Sequence, residues 1–385
     1  MAQSDRRNIR IDALRGLACL LLVLFHVVGT NSNSGLHLPA SHGLVLFNDL
    51  LGYLRMPLFS VLSGYVYARR PFRQDVSAFV AGKARRLLIP MLVVGTAFAM
   101  LQAVVPGSNS QVTDWHMLHI LPVAHYWFLE SLFIIFMMIL ALETVSALAS
   151  TPRFVAVFAA AAVMFVAKPL PVFFGLAGAV YLFPFVLFGL WCGRFAAGEK
   201  RDQRVQLKFG VLVVVVAGLH AVFVGQALPG VQSLTALALG CGACLVLLKS
   251  GMGSAPLAWL GRHSFAIFLF HAVGSAGSRI LLTKLGLTSL YVLVPAGMVA
   301  GLALSVWLAQ QIKNAPFLAK WVLGELAAQR SASSSLGAAA KPGFLSQQTP
   351  AQTRIQRHLQ RIRARMVTLE VVQSVQSKQA KNTMF

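Results

Sequence analysis

Asp12-Ala13-Leu14-Arg15-Gly16-Leu17-Ala18-Cys19-Leu20-Leu21-Leu22-Val23-Leu24-Phe25-His26-Val27-Val28-Gly29-Thr30 is the stretch that decides the fold. A helix needs about 20 mostly apolar residues to cross roughly 30 Å of hydrocarbon. This run supplies them, and Asp12, Arg15 and His26 are its ionisable side chains apart from a cysteine. Comparable runs recur over 44–67, 87–106, 126–147, 153–168, 172–193, 207–226, 231–249, 259–282 and 288–311, separated by Pro, Gly, Asn and charged clusters. The fold expected is an all-α membrane protein, a polytopic bundle of about ten transmembrane helices. The short run 153–168 is the weak point and is also readable as a re-entrant piece.

Composition agrees. Of 385 residues, 57% are hydrophobic and 11% charged, more apolar surface than a soluble core hides. That charge fraction excludes a disordered chain, the 31 glycines show no three-residue period, and four cysteines are too few for a disulfide scaffold.

A net charge of +22 would suggest a nucleic-acid partner in a soluble chain. Here the basic residues lie where topology needs them. With a cytoplasmic N-terminus, Arg6, Arg7 and Arg10, then Arg69, Arg70, Arg73, Lys83, Arg85 and Arg86, then Arg194, Lys200, Arg201, Arg204 and Lys208 all fall inside. The outer connections 31–43 and 107–125 hold no Lys or Arg. Both termini are therefore expected in the cytoplasm, with no nucleic acid as partner. The first thirty residues resemble a secretory signal, but Arg15 and His26 bracket the apolar part and no clear cleavage site follows, so a retained helix is expected.

Two segments follow from this pattern: a transmembrane domain over 1–312 and a basic cytoplasmic tail over 313–385, partly disordered. Ser331, Ser333, Ser334, Ser335, Gln347, Gln348 and Gln352 read as a linker. Beyond it, Arg354, Arg357, Arg361 and Arg365 alternate with Ile355, Leu359, Ile362 and Met366. That spacing fits an amphipathic helix over 353–375 on anionic membrane lipids, and equally a solvated tail.

Ionisable groups inside a membrane span are expensive and mark functional sites by default. Arg15 and His26 are eleven positions apart, which places them on one helical face about 16 Å apart along the axis. Asp12 can pair with Arg15. The plainer alternative makes Arg15 a snorkelling anchor and His26 an interfacial histidine.

Asp12-Ala13-Leu14-Arg15-Gly16-Leu17-Ala18 with His26 resembles the first helix of the integral membrane acyltransferases of the acyltransferase-3 type. Further matches follow in the family's order: Met56-Pro57-Leu58-Phe59 with Ser63-Gly64-Tyr65, the basic turn Lys83-Ala84-Arg85-Arg86-Leu87-Leu88-Ile89-Pro90, His125-Tyr126-Trp127-Phe128-Leu129-Glu130, and Leu260-Gly261-Arg262-His263-Ser264 running to His271. The likeness covers 9–271 on a ten-helix plan and leaves out the tail.

The resemblance implies acyl transfer, usually of acetyl from cytoplasmic acetyl-CoA to a hydroxyl of an envelope or exported glycan or its lipid-linked precursor. It implies a bacterial inner-membrane setting, with polysaccharide assembly machinery as a candidate partner. His26 is then the general base, since histidine is best poised to take a hydroxyl proton near neutral pH, or else an acyl-accepting nucleophile. Arg15 orients the donor or stabilises charge. Glu130 orients His26, binds acceptor hydroxyls, or pairs a basic residue.

Lys83, Arg85 and Arg86 are candidates for the phosphates of CoA or are plain topology anchors. Ser63, His271, Arg55 and Trp127 are candidate substrate-binding residues. Arg55 is also explained by a buried ion pair with Asp49 or Glu130, and Trp127 and Tyr126 by interfacial anchoring. Cys241-Gly242-Ala243-Cys244 has a metal-ligand spacing but lies in an apolar helix without a second pair, so it reads as helix packing and no metal is expected. Nothing matches a phosphate-binding or dinucleotide loop. A transporter or flippase whose charged groups line a path is the rival from another class, with a membrane scaffold acting through the basic tail, or an enzyme acetylating a small secreted molecule, behind it.

Overall fold

The computed structural model describes residues 9–72, 75–108, 114–168, 170–195, 200–223 and 229–325. Arg6, Arg7, Arg73, the linker and the expected helix at 353–375 lie outside these residues. The described chain is helical: α1 (Ile9–Val28), α2 (Gly43–Leu50), α3 (Gly52–Arg69), α4 (Val76–Lys83), α5 (Ile89–Val104), α6 (Trp127–Thr144), α7 (Thr151–Ala167), α8 (Leu176–Arg194), α9 (Lys200–Phe223), α10 (Leu234–Lys249), α11 (Ala255–Arg262), α12 (Ser264–Lys284), α13 (Leu290–Asn314) and α14 (Pro316–Val322). No strand occurs among the described residues, only a single bridge between Leu118 and Leu121.

Most apolar runs expected from the sequence centre on one of these helices, but 44–67 covers both α2 and α3 and 259–282 covers both α11 and α12. Eight spans are long and apolar enough to cross a membrane, while Thr151–Ala167 and Leu234–Lys249 are shorter apolar helices. The run expected at 259–282 starts instead at Ser264, because Ala255–Arg262 forms its own helix, capped at its start by Ser254 Oγ on the Leu257 amide. Apolar residues left exposed on α9, among them Leu212, Val215, Val216 and Leu219, face outward as a hydrocarbon solvent permits.

Helices α4 and α5 are one continuous rod joined by a π-helical turn, Ala84–Leu88. Its start is fixed by Asp75, whose carboxylate accepts from the Ala78 amide at 2.9 Å and the Ser77 hydroxyl at 3.1 Å. Those bonds hold the Asp75 carboxyl below the usual carboxylate range.

Helix α1 packs against α3, α11, α12 and α13 and so occupies the middle of the bundle. Its depth is set by backbone contact with α11. A Cβ at Gly16 would collide with the Leu257 carbonyl, and one at Gly261 with the Asp12 carbonyl. Helices α3 and α8 meet the same way through Gly64 and Gly189, each against the other's carbonyl. Without a hydrophobic driving force between helices in lipid, such close approach is what packing offers. Cys241 and Cys244 are buried free thiols on α10, which packs on α9, as the helix-packing reading expects.

Candidate active site

Arg15 sits one turn into α1 and its guanidinium meets the Asp12 carboxylate at 3.1 Å, the pairing expected at that spacing. It lines a cavity of about 550 Å³ whose wall also carries Arg70, Lys83, Arg85 and Arg86. Among the described residues that wall holds five cations and no Asp or Glu. Ser63 faces the same space, with its hydroxyl donating to the Phe59 carbonyl at 2.8 Å. Lys83 lies with Nζ 3.2 Å from the centre of the Phe136 ring. Arg85 and Arg86 reach the wall from the π-helical turn. Phe59, Phe128 and Phe268 are among the aromatic residues that line the same cavity.

His26 lies at the other end of α1 and lines a second cavity of about 470 Å³. This one is mostly apolar, walled by residues such as Phe25, Phe98, Leu101 and Ile280, with Thr30, Ser34, Gln102, Ser108 and His125 as polar exceptions beside His26. Arg279 ties the rim together: it donates to the Gly107 carbonyl at 2.9 Å and meets His37 Nε2 at 3.0 Å, joining the segment after α1 to the one after α5.

Three histidines from three elements converge beside this second cavity, two of them, His26 and His125, lining it. His26 comes from α1, His125 from the short turn before α6, and His271 from the middle of α12. The His26 ring lies 5.4 Å from that of His125 and 4.7 Å from that of His271, and the latter two are 4.7 Å apart. One ring nitrogen from each falls within 4.8 Å of the others. His125 and His271 are buried, and the Nε2 of each has no hydrogen-bond partner among the described residues. His271 Nδ1 lies 2.8 Å from the Ile267 carbonyl and 3.0 Å from that of Phe268.

The remaining expected residues stand apart from both cavities. Arg55 is buried and forms no ion pair with Asp49 or Glu130. Its guanidinium stacks 3.7 Å from the centre of the Phe25 ring and donates to Asn48 Oδ1 at 3.4 Å. A neutral amide therefore takes the place expected for a carboxylate. Phe25 in turn touches His26, ring centres 5.0 Å apart. Glu130 is buried beside Gly175, and neither carboxyl oxygen has a hydrogen-bond partner among the described residues. Trp127 packs onto α8 at Gly178. Tyr126 is not an interfacial anchor but fully buried, its hydroxyl donating to the Leu269 carbonyl at 2.7 Å.

His125 was missed as a site residue by sequence reasoning. It stands directly before the Tyr-Trp-Phe-Leu run, but in a 3-10 turn that opens on Ala124 at φ +43°, so no helical periodicity points it anywhere.

Comparison with known proteins bears on what this arrangement does. A family model described as an acyltransferase domain matches residues 8–310. A curated relative, the nodulation protein NolL of Mesorhizobium japonicum, is 26% identical over 144 residues, 37% of this chain. The chain thus matches 38% of that relative's length. No solved structure matches.

Proposed function

The chain belongs to the acyltransferase-domain family, and from that premise we propose that it is a membrane O-acyltransferase moving acetyl from cytoplasmic acetyl-CoA to a hydroxyl of an envelope or exported glycan or its lipid-linked precursor. The observation that carries the reading is that one helix serves two unlike cavities, with Arg15 in a cationic one and His26 in an apolar one. CoA is a polyanion and its phosphates suit the wall formed by Lys83, Arg85, Arg86, Arg70 and Arg15. That cavity then opens to the cytoplasm, both termini are cytoplasmic, and all ten apolar helices span the inner membrane of a bacterium. The 16 Å or so of helix between Arg15 and His26 is on the scale of a pantetheine arm.

Acetyl transfer is an attack of the acceptor oxygen on the thioester carbonyl. The C–S bond breaks as the C–O bond forms, the hydroxyl proton passes to His26, and the thiolate leaves to be protonated as free CoA. Arg15 steers the donor and offsets its negative charge. The acceptor sugar occupies the His26 cavity.

The test is release of CoA thiol from acetyl-CoA by the protein in lipid, offered an extract of host envelope glycans. Wild type is expected to release thiol only with glycan present, and His26→Ala to abolish it. No release with any glycan, together with glycan flux across proteoliposomes, would put a transporter in its place.

A further inference from the structure

We propose that His271 is the positioning residue for His26, accepting its ring N–H and thereby turning the other His26 nitrogen, as a lone pair, toward the cavity. Ile267 O and Phe268 O only accept, so His271 Nδ1, at 2.8 and 3.0 Å from them, must carry the proton. In the neutral ring Nε2 is then the lone pair. That atom is buried and has no partner among the described residues, and the His271 ring that carries it lies 4.7 Å, centre to centre, from the ring of His26.

His271 is fixed and wholly enclosed, whereas His26 is half-buried and faces the cavity. A turn of the His26 ring brings one of its nitrogens to His271 Nε2, and hydrogen bonds of this kind commonly tighten only when substrate arrives. The direction of the chain is set throughout: carbonyls accept from His271, His271 accepts from His26, and His26 accepts from the acceptor hydroxyl. This is the task a buried carboxylate performs in a hydrolase triad. The sequence suggested Glu130 for it, but the structure brings His271 to His26.

A metal ion is the competing occupant of three histidines. Tetrahedral ligation at about 2.0–2.1 Å needs nitrogens roughly 3.3 Å apart, and here they spread to 4.8 Å. Among the described residues no carboxylate joins the group, and the Arg55 guanidinium lies across the Phe25 ring that touches His26. Those features favour a neutral hydrogen-bonded set.

The inference rests on the acyltransferase reading for its consequence but not for the bond itself, so three measurements are used on the full chain in lipid nanodiscs. In steady-state thiol release, His271→Leu is expected to lower kcat about 10²–10³-fold with KM for acetyl-CoA within threefold. His271→Gln, which keeps a donor for the carbonyls and an acceptor for His26, should recover at least tenfold of that loss. Equal loss in both variants, or a Leu variant within threefold of wild type, overturns the proposal.

Independently of turnover, ¹⁵N-histidine solid-state NMR should show a protonated Nδ1 that vanishes in His271→Leu, together with a His26 N–H signal that shifts. Unchanged His26 signals overturn it even if no activity is found for any form. Elemental analysis closes the set: below a tenth of an equivalent of zinc, nickel, copper or iron is expected. One equivalent lost in each of His26→Ala, His125→Ala and His271→Ala would replace the proposal with a metal centre.

Discussion

The two cavities along α1 differ in almost every respect. The Arg15 cavity has five cations and no acid among its described wall residues, and the His26 cavity has mostly apolar walls with two histidines, a few neutral polar side chains and no Asp, Glu, Lys or Arg among its described wall residues. What separates them is thin: Phe268 lines the first, His125 lines the second, and their rings are 5.4 Å apart. On the proposed reading, the contrast assigns recognition and chemistry to different ends of one helix. Charge would then serve to hold a polyanion, and low polarity to keep competing water from a proton transfer.

The comparison breaks most visibly at its chemical end. His26→Ala is expected to reduce kcat by about 10²–10⁴-fold while KM for acetyl-CoA stays within threefold, and a rise in KM without loss of kcat would place His26 in binding instead. Next in size is the cationic end. Changing Lys83, Arg85 and Arg86 together to Ala should raise KM for acetyl-CoA about 10–100-fold, more at low salt than at high, with kcat at saturation nearly kept. If titration with acetyl-CoA shows no change, these residues are topology anchors only.

Smaller effects test the partition between the cavities. Phe268→Ala opens the narrow aromatic wall, and glycan-independent thiol release should rise about three- to tenfold as water reaches the thioester. Smallest of all, Glu130→Gln should leave glycan-dependent turnover within about twofold, because Glu130 lines neither cavity. A loss beyond tenfold in that assay would return the carboxyl to the chemistry.

Much of this was legible in the sequence because membrane spans and helix faces are periodic. Asp12 and Arg15 pair as their three-residue spacing demands. The cations of the Lys83-Ala84-Arg85-Arg86 turn share a cavity wall with Arg15 and Ser63. What stayed hidden depends on tertiary approach. His26, His125 and His271 are far apart in the chain, and one of them sits on an aperiodic turn. Arg55 was expected to seek a carboxylate, but an aromatic face and the Asn48 amide stabilise it instead. Trp127 has the residue type of a sugar platform, yet its ring is taken up by α8. Residue type announces capacity, and neighbours decide its use.

The π-helical turn at Ala84–Leu88 also sets a rule of inheritance. It holds one residue more than an α-helical turn would, which offsets the side chains of Val76–Lys83 by about 100° from the register an unbroken helix would give them. Loss of a single codon in this turn would regularise the rod and swing its cations relative to the cavity, with every other residue of the protein intact. Length at this turn is therefore as much a part of the cavity wall as the identity of its cations.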